Sequence, residues 1–431
     1  MSPRSGPDAT RDGVRRSRFV SGSPIYYGWF IVAAGTLGVM MTIPGQTTGV
    51  SIFIDFLIAD LGLTRSGVST LYLVGTLGGS LVLPFVGRFL DRRGPRSAVI
   101  VVAAAFALAC VWMGVVQDAV MLLVGFTLVR ALGQGSLSLV SVHVIAIWFV
   151  RRRGIAIGLA GVGMAVATAT FPTLIEGLID ATGWRTAYML LGLLVAITIL
   201  PVGALVFRDR PERYGALPDG GAPDLTAAAG PRPERHYTAS EARRTLTFWL
   251  FLAGLFFGST LGTGLVFHHY SILAEGGLTR ADAASAFVYF GMMSAAANLV
   301  TGALITRTAP RYLLSVMLFA LGASLVFAGY VQGAAAIVPY GLLMGLRSGV
   351  YASLEGNVFA YYFGRRHLGS IKGWVTTVLV VGSALGPLIF ALGFDLVGSY
   401  TTIVVVSALP PLALAVAAPF LPLLRSDGSV R

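Results

Sequence analysis

The chain has 431 residues, 55% of them hydrophobic and only 12% charged. Soluble domains average about 25% charged residues, so apolar stretches of about 20 residues with this little charge indicate a polytopic helical membrane protein. The net charge of +12 sits in the loops, as the positive-inside rule requires, which removes the reading of a nucleic-acid footprint. The single cysteine, Cys110, excludes a disulfide framework and a cysteine metal cluster.

Arg4, Arg11, Arg15, Arg16 and Arg18 precede the first apolar run. That run has no small-residue cleavage site and is long enough to span, so it reads as a retained first helix rather than a signal peptide. Twelve spans are predicted, at roughly 26–56, 66–88, 97–117, 119–148, 154–181, 185–207, 245–274, 281–305, 311–331, 334–362, 369–394 and 400–424. Between the sixth and seventh, residues 208–244 are rich in Pro, Gly and charge, which predicts a flexible cytoplasmic linker whose first part is compatible with a short surface helix. The expected organisation is a cytoplasmic tail (1–25), a six-helix bundle (26–207), the linker (208–244), a second six-helix bundle (245–424) and a cytoplasmic tail (425–431). Lys and Arg number 26 on the side of the amino terminus and 3 (Arg65, Arg185, Arg280) on the other, which predicts that both termini are cytoplasmic. Arginine far outnumbers lysine, which suggests a GC-rich bacterial genome and a cytoplasmic membrane.

The second half repeats the first about 215 residues later. Gly62-Leu63-Thr64-Arg65 returns as Gly277-Leu278-Thr279-Arg280, and Pro172 and Asp180 return as Pro387 and Asp395. The basic loop Gly87-Arg88-Phe89-Leu90-Asp91-Arg92-Arg93-Gly94-Pro95-Arg96 returns, degenerate, with Thr306 for Asp91 and Ala309 for Gly94. A duplicated membrane protein of two halves is the architecture of transporters that rock one bundle against the other around a midplane site.

The pattern Gly87-x-x-x-Asp91-Arg92-x-Gly94-x-Arg96 resembles the loop signature of the major facilitator superfamily. The resemblance implies an all-α fold of two pseudo-symmetric six-helix bundles and a gating role for these five residues. Gly87 is expected to permit close packing and Gly94 a tight turn. Asp91 is expected near a helix N-terminus of the opposite bundle, and Arg92 and Arg96 on carboxylates or lipid phosphates. Trp148-Phe149-Val150-Arg151-Arg152-Arg153-Gly154, Gly158-Leu159-Ala160, Gly183-Trp184-Arg185 and the later Tyr362-Phe363-Gly364-Arg365-Arg366-His367-Leu368-Gly369 are similar to the monocarboxylate and oxalate/formate transporter branch. Members that carry monocarboxylates place an arginine in the eighth span, four residues before the loop glycine; here Asn298 stands four residues before Gly302 and is taken as a polar substrate contact. The drug/proton antiporter signature of the fifth span is absent, since that stretch reads Thr170-Phe171-Pro172-Thr173.

An ionisable group inside a bilayer costs about 2.5–3.5 kcal/mol on insertion scales, so each invites a reason. The family resemblance lines the central cavity with spans one, four, seven and ten. Arg130 and Arg347 fall near the middle of spans four and ten, one from each half, and are expected to clamp an anion between them. Gln134 and Tyr351, one turn beyond each, extend those faces, and Gln46 and Thr47 follow the helix-bending Pro44-Gly45 of span one. His268 and His269 in span seven, and Glu355 in span ten, are the candidates for a coupling proton, with His268 also a candidate substrate contact. For Glu355 a structural bridge to Lys372 or Arg366 is the preferred reading, with the proton role as the alternative. Glu176, close to the outer end of span five, is expected to reach the water interface.

These features predict a secondary transporter for a small organic anion, a carboxylate, working by proton symport or anion exchange. The alternative is proton-driven efflux of an amphipathic drug or metabolite. A third reading is a transporter-like sensor without flux. No phosphate-binding loop, nucleophile elbow or catalytic carboxylate pair occurs, so no enzyme activity, cofactor or metal is expected. The expected partners are a small-molecule substrate, membrane lipid and protons, with the chain a monomer and no nucleic acid bound.

Overall fold

A computed structural model describes residues 23, 25–221, 237–305, 307–364, 366–421 and 424. The amino-terminal arginines, residues 222–236 of the linker, Thr306, Arg365 and the tail 425–431 lie outside the described residues. Among the described residues ten helical stretches are long and apolar enough to cross a membrane. One of them, Arg65–Gly114, bends at Gly94 (φ 81°) and supplies two crossings, the second and third. The tenth crossing, Ile337–Phe363, adds a further helix whose apolarity is diluted by Arg347, Glu355 and its tyrosines. Leu81, Leu108, Ile197, Leu396 and Phe420 stand exposed on the exterior, which is the surface a bilayer requires and water would penalise.

The remaining spans follow the sequence expectation with two interruptions. Span one is a chain of short helices, Gly28–Met40, a 3₁₀ turn at Ile43–Gly45, Thr47–Ser51 and Ile54–Leu61, because Pro44 cannot continue an α-helix and Gln46 is extended. It therefore runs past the predicted end at residue 56. Span seven breaks at His268, between Leu246–Phe267 and His269–Glu275. Discontinuous helices of this kind expose backbone polar groups only where protein or a cavity receives them.

The repeated Gly-Leu-Thr-Arg is a helix stop followed by a helix start. Gly62 (φ 61°) and Gly277 (φ 75°) take the left-handed conformation that ends one helix, which a side chain with a Cβ resists. Two residues later Thr64 and Thr279 cap the next helix through Gly67 N and Asp282 N, and Asp282 closes a capping box on Thr279. Arg65 and Arg280 are then the first residues of spans two and eight, and both sit on the same face of the molecule. That face is called the far face below; the opposite one, which bears the 87–96 loop and the linker, is the linker face.

Residues 208–221 are not a free linker. Trp148 Nε1 donates to Asp209 O (2.8 Å), and the Asp219 carboxylate accepts from the backbone N–H groups of Val150 (2.9 Å), Arg151 (2.7 Å) and Arg152 (3.1 Å). The first part of the linker thus straps the loop between spans four and five, satisfying donors at the start of Arg153–Thr182. Partial burial pushes the Asp219 carboxyl up, but the three N–H donors and the Arg151 charge outweigh it and hold it below the usual carboxylate range. Because its folded value is depressed, the grip is present above the ordinary carboxyl range and is lost as pH falls through the folded value. Asp219→Asn should lower the hydrogen-exchange protection factors of the residue 150–152 amides at neutral pH, and acidification should do the same to the unsubstituted protein once each rate is referred to the unstructured amide at that pH.

Candidate functional site

Between the bundles lies a cavity of about 450 Å³. The first bundle contributes Gln46, Thr47 and Thr48 from the interrupted span one, Gln134 from span four, and Met164 and Thr168 from span five. The second contributes Gly258, Gly262 and Thr263 from span seven, Phe290 from span eight, Arg347, Tyr351 and Glu355 along one face of span ten, and Thr376 and Ser383 from span eleven. Of the candidate substrate contacts, the fold brings Gln46, Thr47, Gln134, Arg347 and Tyr351 together.

The two mid-span arginines part company. Arg347 is buried and lines the cavity; its Nη1 donates to Gly258 O (3.1 Å) and its Nε is buried with no partner. Among the described residues no carboxylate pairs with it. Its guanidinium lies against Gly262, where any Cβ would collide with it. Gly262→Ala should therefore displace the arginine and weaken ligand binding without loss of the fold, checked by ligand titration beside a melting curve.

Arg130 is also buried but stands behind the cavity wall rather than in it. Its Nε donates to Thr76 Oγ1 (3.1 Å), its Nη1 to Gly45 O (3.3 Å) and Thr47 Oγ1 (3.4 Å), and its guanidinium covers the Tyr72 ring at 4.9 Å. The expected clamp of two arginines is thus corrected to one exposed to the cavity and one held by neighbours, which reaches it only through Thr47. The cause is local: Arg130 opens a π-helical turn, Arg130–Leu137, and the break in span one frees the Gly45 carbonyl to accept from it.

The histidines do not line the cavity. His268 is sealed at the span-seven break, with Nε2 on Pro387 O (2.8 Å) and Nδ1 on the Tyr400 hydroxyl (2.9 Å). His269 is sealed on the other side, with Nε2 on Ala283 O (2.9 Å) and Nδ1 on the Tyr340 hydroxyl (3.2 Å). A carbonyl only accepts, so Nε2 carries a proton in both rings, and in the neutral ring Nδ1 then accepts from a tyrosine. Two imidazoles with both nitrogens used are struts, binding span seven to spans eight, ten, eleven and twelve. Asn298 is also outside the lining; its amide points at Gly161 in the seam between spans five and eight. Glu355 does face the cavity, and it reaches Lys372 Nζ at 3.7 Å.

The loop signature departs from expectation. A Cβ at Gly87 would meet nothing within 4 Å, so close packing is not its purpose here. Asp91 and Arg92 are exposed and, among the described residues, Asp91 makes no hydrogen bond or ion pair; Arg96 donates to Ala204 O (2.7 Å) of its own bundle. Gly94 abuts the Asp209 carboxylate. In this conformation the loop holds its own bundle and, among the described residues, does not latch to the other.

The latch is at the far face, where hydrogen bonds and ion pairs tie one bundle to the other. Arg65 Nη1 donates to Asp55 Oδ1 (3.2 Å) and to Ser271 Oγ (2.7 Å), and Ser271 Oγ donates to Asp55 (2.8 Å). The Arg65 guanidinium also covers Phe394 and Tyr400 of the second bundle. Arg280 crosses the other way: it grips Glu176 through Nη2 (2.8 Å) and Nε (3.2 Å), reaches Asp55 at 3.6 Å, donates to Ile52 O and covers Phe56. Glu176, expected at the water interface, is buried in this cluster. The repeated Gly-Leu-Thr-Arg was the signal for it, and its arginines read in sequence only as loop charge.

The architecture is that of a multi-pass membrane protein with two helical bundles meeting at a central cavity. The chain belongs to the Major Facilitator Superfamily, whose profile it matches over residues 29–276. It is 26% identical over 397 residues to monocarboxylate transporter 11 of Homo sapiens, covering 87% of this chain and 79% of that one. It is 25% identical over 228 residues to the oxalate:formate antiporter of Oxalobacter formigenes, covering 53% of this chain and 51% of the relative, so the match spans about half of that protein. In fold it is similar to a bacterial homolog of the human lysosomal transporter Spinster in an inward-facing, occupied conformation, with a TM-score of 0.66, 16% identity, and 92% and 94% of the two chains covered.

Proposed function

We propose that the chain carries a small organic anion, a carboxylate, across the cytoplasmic membrane by alternating access, with the linker face and both termini in the cytoplasm. The observation that carries this reading is Arg347: a buried cation that faces the cavity, has one backbone acceptor and a spare donor, and has no acidic partner among the described residues. A buried charge is tolerated at such cost only when something pairs with it, and a guanidinium fork suits a carboxylate. The sequence likeness to an oxalate:formate antiporter and a monocarboxylate transporter points the same way. The hydroxyls and amides of Gln46, Thr47, Gln134 and Tyr351 would orient the rest of the ligand. With both histidines committed to tyrosines and carbonyls, Glu355 is the remaining candidate to carry a proton in symport; anion exchange needs none. The far-face cluster supports assigning this conformation as inward-facing.

The test is thermal stabilisation of the purified protein by organic anions against neutral and cationic amphiphiles, since a ligand of the folded form raises its apparent stability. Stabilisation by anions supports the reading. Stabilisation by neutral or cationic amphiphiles alone would replace it with efflux, to which the apolar lining residues Met164, Val266, Phe290, Leu379 and Val380 are suited.

A further inference from the structure

The Glu355–Lys372 pair has no part in holding an anion at Arg347, yet it stands at the cavity's linker-face end. Arg347, Tyr351 and Glu355 follow one another at four-residue intervals along one face of span ten, and Arg347 and Glu355 both line the cavity. Eight residues of helix rise about 12 Å, so a ligand anchored at Arg347 has its far end directed at Glu355 without either side chain touching the other. Lys372, one turn before the cavity-lining Thr376 on span eleven, meets Glu355 at 3.7 Å, and each side chain is about a third exposed (31% and 34%). A pair that long and that wet contributes little to stability. Its consequence for charge is larger. Among the described residues the first bundle contributes no ionisable side chain to the lining, and the second contributes Arg347, Tyr351 and Glu355. With Lys372 cancelling Glu355, the cavity carries one uncompensated positive charge.

We infer that the Glu355–Lys372 pair sets the valence of the transported anion, keeping the mouth of the cavity neutral so that a monoanion matches the site and a dianion does not. The inference rests on the proposed anion site at Arg347. A second carboxylate on the ligand would extend toward Glu355 and meet a carboxylate there, with the ammonium already engaged. Removing the Glu355 charge would leave Lys372 free and give the cavity two positive charges. Removing Lys372 would leave Glu355 free and give it none.

The experiment compares matched probes, formate with oxalate, butyrate with succinate and benzoate with phthalate, by thermal stabilisation of the full chain at neutral pH. The unsubstituted protein should respond more strongly to the monoanion of each pair. Glu355→Gln should raise the dianion-to-monoanion affinity ratio by about tenfold, the size Coulomb's law gives for one unit of charge about 10 Å away at an effective dielectric of about 20. Lys372→Gln should move the ratio the other way. The double variant Glu355→Gln/Lys372→Gln restores a neutral mouth and should return it toward the starting value, a rescue that a purely structural bridge would not give. The opposite signs of the two single variants also separate the effect from misfolding. If anions bind through Arg347 but the ratio is the same in all four proteins, the valence assignment is wrong and the anion site stands. If the unsubstituted protein prefers dianions, the assignment is likewise overturned. If no anion stabilises the unsubstituted protein, the anion site and the valence assignment fall together.

Discussion

Arg347→Ala should shift anion-dependent stabilisation and anion counterflow in proteoliposomes to anion concentrations about tenfold or more higher, while the melting temperature of the ligand-free protein does not fall. The two halves of that result have one cause. Hydrogen bonds to a charged group contribute about 1.5–3 kcal/mol, so losing the guanidinium should cost roughly tenfold to a hundredfold in anion affinity. In the empty protein, however, the same guanidinium is buried against Gly258 and Gly262 with its Nε unpartnered, and a buried charge of that kind is a liability. Its removal relieves a cost instead of breaking a pair. Arg347→Lys should fall between the two, because an ammonium keeps the charge and loses the planar fork. A variant that bound anions normally would remove the observation on which the functional reading depends.

Arg280→Ala should open the far face. The substitution strands the buried Glu176 carboxylate and removes two of the contacts on Asp55 and Ile52 O that hold the bundles together. Breaking a fully buried pair from one side costs about 3–5 kcal/mol; with Arg280 itself a third exposed, about 2 kcal/mol is the better expectation. Applied to the balance between conformations, that is about a 30-fold shift away from the closed far face. The single native cysteine, Cys110, is buried, so spin labels placed on the two far-face loops, one per bundle, can report the change as a longer distance. The double variant Arg280→Ala/Glu176→Gln removes the stranded charge and should recover stability but not closure. An unchanged distance distribution in Arg280→Ala would show that packing alone shuts this face.

The fold was largely legible because the length of an apolar run is a physical requirement of the bilayer. Runs of about 20 residues separated by basic loops leave few alternatives, and Pro44-Gly45 announced the break in span one. The site was legible by residue type but not by environment. Arg130 and Arg347 look alike in sequence, each mid-span and each followed four residues on by a polar group. What separates them is the supply of acceptors from other helices: Thr76, Gly45 and Thr47 converge on one, and only Gly258 on the other. The same holds for His268 and His269, whose partners Pro387, Tyr400, Ala283 and Tyr340 lie 14 to 132 residues away along the chain. Local pattern carries no record of such convergence. The far-face cluster was written in the sequence as a repeat, yet the repeat itself says only that two loops are alike, not that each sends an arginine across to the opposite half.

Lys372 is the one lysine in the chain. Every other basic side chain is a guanidinium or an imidazole, neither of which acylates readily at neutral pH. The mouth of the cavity is therefore the one place where the protein offers a side-chain amine, and the partly exposed Lys372 is within a reagent's reach there. An amine-directed fluorophore or cross-linker would mark that mouth, along with the chain's α-amino group, in an otherwise unaltered protein, and the rate at which the Lys372 site reacts would follow the opening and closing of the passage without a single engineered residue.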